Sequence, residues 1–154
     1  MTAPLVDVSR QHTHAVASMI ETAVAGEAQD GRYAVFVGEV TTTEDVTVYP
    51  YYVVWPPSAM RPTNTLAGYD SAAMSTIQVT AAGTSVNEVL SALDRAAEAL
   101  HRQRPAVPGR VFGLIRQVPG TFPPAPTRDD RVHTPDGRPV FFSYALFVLY
   151  STAA

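Results

Sequence analysis

One stretch of this sequence constrains the fold more than any other, because it is apolar on both sides. Across residues 140–151 the even positions are Val140, Phe142, Tyr144, Leu146, Val148 and Tyr150, and the odd positions include Phe141, Ala145, Phe147 and Leu149. Successive side chains of a strand point to opposite faces, so both faces of this one call for burial. Residues 47–55 repeat the pattern, with Tyr49, Tyr51, Val53 and Trp55 set against Val48, Tyr52 and Val54. A sheet with helices on one face and water on the other calls for strict alternation instead. Residues 75–82 have that alternation: Ile77, Val79 and Ala81 face one way, Thr76, Gln78 and Thr80 the other. The second sheet face must therefore be covered by another subunit or by the chain's own loops, and both readings stay open.

The remaining elements follow from local signals. Asp7 or Ser9 caps a helix that runs to about Gly26, with Val16, Met19, Ile20, Ala23 and Val24 at helical spacing. Its other side, Ala17, Ser18, Glu21, Thr22 and Ala25, suits either solvent or a neighbouring subunit. Strands are expected over 33–40 and 47–55, joined by a short turn and hence antiparallel. Pro50 places its part of the second strand at an edge or bulge. Ser85 and Glu88 form a capping box for a second helix, whose apolar stripe is Val86, Val89, Leu90, Leu93, Ala97 and Leu100. Further strands are expected over 110–118 and 140–151. Two long loops separate these elements, at about 58–73 and 119–139. The second carries the charged cluster Arg128, Asp129, Asp130 and Arg131. The expected product is a single domain over 1–154 of the α+β class: two layers, with a mostly antiparallel sheet of about five strands packed on two helices.

Signals for chemistry are sparse. The net charge is −3, and every fixed cation is an arginine, which argues against a nonspecific nucleic-acid binder. With no cysteine, thiolate zinc sites and cysteine nucleophiles are excluded. His12 and His14 diverge around a helix start and are expected in solvent. His101 suits a helix C-terminus, and His133 with Asp136 sits among the loop acids. No nucleophile elbow, phosphate-binding glycine loop or zinc-protease motif is present. The expectation is no catalytic residue, no cofactor and no metal. No apolar run is long enough to span a membrane, and the first residues lack the pattern of a signal peptide, so a soluble protein made in the cytoplasm is expected.

The arrangement as a whole resembles the tail terminator proteins of long-tailed bacteriophages. The resemblance rests on the N-terminal helix, the strand around Pro50-Tyr51-Tyr52-Val53-Val54-Trp55-Pro56, and the irregular loop after it. It continues with the alternating strand Thr76-Ile77-Gln78-Val79-Thr80, the capped helix from Ser85 to about His101, and the closing strands. It implies a homo-hexameric ring in the virion, at the junction of head and tail. Such a ring caps the tail tube protein, stops its polymerisation and docks the head connector or stopper protein, with DNA only passing through the lumen. The expected contacts between copies are Phe141, Phe147 and Leu149 with Tyr51 and Trp55. The expected docking loop is Arg128, Asp129, Asp130 and Arg131. Another neck or head–tail joining ring protein has the same sequence logic. A small ligand-binding or enzymatic α+β domain is the alternative of a different class.

Overall fold

The computed structural model describes residues 5–40, 48–57, 61–63, 72–118 and 124–154. The chain is α+β: two helices lie on one face of a mixed sheet. The elements in order are α1 (Leu5–Val24), β1 (Ala34–Val37), β2 (Tyr51–Trp55), β3 (Arg61–Thr63), β4 (Ala72–Gly83), α2 (Val86–Leu100), β5 (Arg110–Phe112), β6 (Arg116–Gln117), β7 (Thr127–His133) and β8 (Pro139–Ala153). The main strand order is β1-β2-β4-β8-β5.

The centre of the sheet is the antiparallel pair β4–β8, in register from Ala72↔Thr152 to Gly83↔Phe141. The other edge of β8 is taken in succession by three short antiparallel strands, β5, β6 and β7. The core lies between the sheet and the helices. It is built from Val16, Ile20 and Val24 of α1, Val89, Leu93 and Leu100 of α2, and Tyr52, Val54, Ile77, Val79, Phe147 and Leu149 of the strands. The alternation expected in β4 is present, with Ile77, Val79 and Ala81 fully buried.

Several expectations are corrected. Helix α1 begins at Leu5, so Asp7 and Ser9 lie inside it, and the Ser9 carbonyl accepts a hydrogen bond from Thr13 Oγ1 at 2.8 Å. Strands β1 and β2 are parallel, with Ala34↔Tyr51 through Val37↔Val54. Parallel neighbours cannot be joined by a tight turn, and Gly38, with φ +77°, turns the chain away at the end of β1. Of the link between the strands, residues 41–47 lie outside the described residues. The strand expected over 110–118 is broken, because the chain bends inward to bury Ile115. Ile115 N–H donates to the Gln103 carbonyl, and its own carbonyl accepts from Arg102 N–H, each at 2.8 Å.

The two expected loops contain strands. Within 58–73, β3 pairs with the start of β4, and residues 58–60 and 64–71 lie outside the described residues. Within 119–139, residues 127–133 form β7, which lies along β8 through Thr127↔Phe142, Arg128↔Phe141 and Asp129↔Val140. A turn at Thr134–Arg138 joins the two strands: Gly137 has φ +81°, and Arg138 N–H donates to Thr134 Oγ1 at 2.9 Å. Strand β7 has no apolar alternation because it is almost wholly exposed. Its charges mark a protected edge.

Helix α2 begins as expected, with one change of partner. Ser85 Oγ accepts from Glu88 N–H at 3.2 Å. The Glu88 carboxylate reaches past Ser85 to accept from Thr84 N–H at 2.6 Å and Thr84 Oγ1 at 3.0 Å. Gly83 makes room for it, since a Cβ there would stand 2.9 Å from Glu88 Oε2.

Candidate interaction face

The side of the sheet turned away from the helices is open. Along β8 the even positions face this side, while Ser143, Ala145, Phe147, Leu149 and Ser151 face the helices and are buried. Strand register carries the open face across the sheet. Phe142 lies beside Ala82, Tyr144 beside Thr80, Leu146 beside Gln78, Val148 beside Thr76 and Tyr150 beside Met74. Trp55 of β2 extends the same surface next to Gln78, whereas Val53 beside Thr80 is buried, and Val111 of β5 extends it beside Thr152. Phe142, Tyr144, Tyr150, Trp55 and Met74 are each 38–44% exposed. Three polar groups of this face are joined: Thr80 Oγ1 accepts from Trp55 Nε1–H at 3.0 Å and from Gln78 Nε2–H at 3.1 Å.

One end of this face carries a tyrosine cluster. Tyr51 packs on Tyr49 at 5.4 Å between ring centroids and edge-on to Phe36 at 5.8 Å. Burial, then the neighbouring Tyr49 and Asp129, push the Tyr51 hydroxyl up to about 12. The ring is thus neutral over the whole physiological range and acts as an apolar body with a hydrogen-bonding tip.

The structure distributes the expected contact residues over both faces. Trp55 is on the open face, and Tyr51 stands half-buried at its end. Phe147 and Leu149 are at 0% and 1% exposure in the core under the helices, and Phe141 packs partly against that core. Phe147 and Leu149 are therefore not on the surface as expected, because the helices occupy the odd side of β8. Arg128, Asp129, Asp130 and Arg131 sit on β7 and not on a free loop. Within this cluster Arg128 pairs with Asp130 at 3.5 Å, and Asp129 Oδ1 accepts from Arg131 N–H at 3.0 Å.

The structure also holds a polar cluster in the core that the sequence reading missed. His12, expected in solvent, is fully buried. Its Nδ1 lies 2.7 Å from Ser75 Oγ and its Nε2 lies 2.6 Å from Ser151 Oγ. Phe112 packs on the ring at 5.0 Å. Arg110 Nε donates to Ser151 Oγ at 3.0 Å and its Nη2 donates to the Ser151 carbonyl at 3.1 Å. Since Ser151 Oγ accepts from Arg110, its own proton is free for His12 Nε2, and Nδ1–H then donates to Ser75. Burial, then Arg110, push the imidazole down to about 4. The cluster joins α1, β4, β8 and β5, and its neutral, fully bonded histidine is a structural tie. His14 is exposed, and Gln117 N–H donates to His101 Nδ1 at 3.2 Å. His133 lies exposed at the end of β7, and Asp136 is engaged by Thr134 and Arg138. Among the described residues no group of three or more His, Asp or Glu is gathered closely enough to hold a metal ion. No described helix is long and apolar enough to cross a membrane.

No protein-family model matches the chain, and no curated protein matches it significantly.

Proposed function

We propose that the chain is a structural subunit that assembles with copies of itself into a ring, and that the ring is a phage tail terminator, as the resemblance implies. It would cap the tail tube, stop its growth and dock it to the head connector. The observation that carries the assembly reading is the open sheet face, on which Phe142, Tyr144, Tyr150, Trp55 and Met74 are all exposed, grouped around the polar row Thr76, Gln78 and Thr80. Monomeric proteins seldom leave such a patch in water. Covering about 200 Å² of it removes roughly 5 kcal/mol of hydrophobic cost before the entropy of association is charged. The role as a terminator draws on the order of helices and strands. Catalysis has no part in this reading: the buried histidine is locked between two serines away from solvent.

The test is the mass and shape of the purified protein. Light scattering should give a multiple of 16.6 kDa, and negative-stain images should show rings with a central opening. Rings that bind one end of tail tubes and halt their elongation support the terminator role. Rings indifferent to tubes and to head connectors overturn that role and leave self-assembly standing.

A further inference from the structure

We propose that the open sheet face receives the outer ridge of α2 from a second copy of this chain, so that each subunit gives a helix to one neighbour and a sheet to the other. This rests on the self-assembly reading above and names the two surfaces that meet.

Helix α2 buries Val89, Ala92, Leu93, Ala96 and Leu100 against its own sheet. Val86 and Leu90, one turn apart, are 40% and 38% exposed instead. Asp94 follows one turn later, is exposed, and has no ion pair among the described residues. The ridge thus reads apolar, apolar, acidic. The open face has the matching order. Tyr144, Leu146 and Val148 follow each other along β8, and Arg116 is the register partner of Val148. Arg116 therefore points to the same side of the sheet; it is exposed and has no ion pair among the described residues. That row reads aromatic, apolar, basic.

The spacings agree as well as the order. Four residues of helix advance about 6 Å, and two residues of strand advance about 6.8 Å. With the helix running in the direction of β8, Val86 stands over Tyr144, Leu90 over Leu146, and Asp94 reaches Arg116. The mismatch over the whole run is under about 2 Å. Two open faces packed on each other would cover neither Val86 nor Leu90 and would leave Asp94 without its arginine. A contact between two different patches propagates from subunit to subunit and closes when the rotation allows, which is what a ring needs.

The absence of cysteine makes the test clean. A Leu90→Cys variant mixed with a Leu146→Cys variant under mild oxidation should give disulfide dimers containing one of each. The double variant should give a ladder of multimers on a non-reducing gel. Charge reversal supplies the second measurement. Asp94→Arg and Arg116→Asp should each weaken association about tenfold, and combining them in one chain should restore it. Both side chains are exposed, so loss of folding does not confound the result. If the wild-type protein assembles but the ladder is missing and the reversals leave association unchanged, the helix-on-sheet contact is overturned and self-assembly stands. A wild-type protein that stays at 16.6 kDa at every concentration overturns both.

Discussion

His12 has to be neutral where it sits. Its two nitrogens are held by Ser75 and Ser151, and Arg110 stands on the far side of Ser151. The folded imidazole titrates near 4, below its ordinary 6.5. Below pH 6.5 the unfolded chain therefore takes up a proton that the folded chain refuses. Stability falls as the pH drops from 6.5 to about 4 and this contribution is flat below that, for a total of about 3 kcal/mol. Urea unfolding of the wild type and of His12→Gln across that window checks this. The variant should be less stable at pH 7, and the difference between the two should shrink as the pH falls; a constant difference would remove the titration from His12. This tie was partly legible in the sequence. Ser75 lies on the same parity as Ile77 and Val79, and Ser151 on the parity of Phe147 and Leu149. His12 precedes Val16, Ile20 and Val24 at steps of four. Three polar residues on core-facing positions signal one another, but partners 63 and 139 residues apart are joined only by the register of β4 on β8.

Among the elements, α2 was read most fully, because its signals are local. The cap and the end follow from neighbouring residues. Ser85→Ala should cost about 1 kcal/mol, or roughly 2–4 °C in Tm, and leave oligomer size unchanged, as thermal melts and light scattering would show. The stripe was less well read. Val86 and Leu90 belong to the outer ridge because the buried side turns toward Ala92 and Ala96, which small size made easy to overlook. Strand β7 was read as a loop since no apolar periodicity marks it. Deleting residues 127–133 should now leave the edge of β8 unpaired from Val140 to Phe142. The expected outcome is aggregation on sizing columns, where a dispensable loop would give a soluble, well-folded protein.

At the scale of the whole molecule, the doubly apolar strand was legible and its handedness was not: which side the helices take depends on how the chain crosses over. The two sides of β8 separate by experiment. Phe147→Asp buries a charge in the core with no partner and should unfold the protein. Tyr144→Asp should leave its circular dichroism intact and yield a smaller species in solution. If both variants unfold, the open face is part of the monomer's own core. A final consequence follows from the placement of β8, which among the described residues is the strand that pairs with β5, β6 and β7 and runs along one whole flank of β4. Its residues leave the ribosome long after β4, so a nascent chain holds a half-built sheet until they emerge. Without β8 the core lacks Ala145, Phe147 and Leu149, and β5, β6 and β7 have no strand to pair with. Folding therefore waits on residues 139–153 and does not proceed strand by strand along the chain.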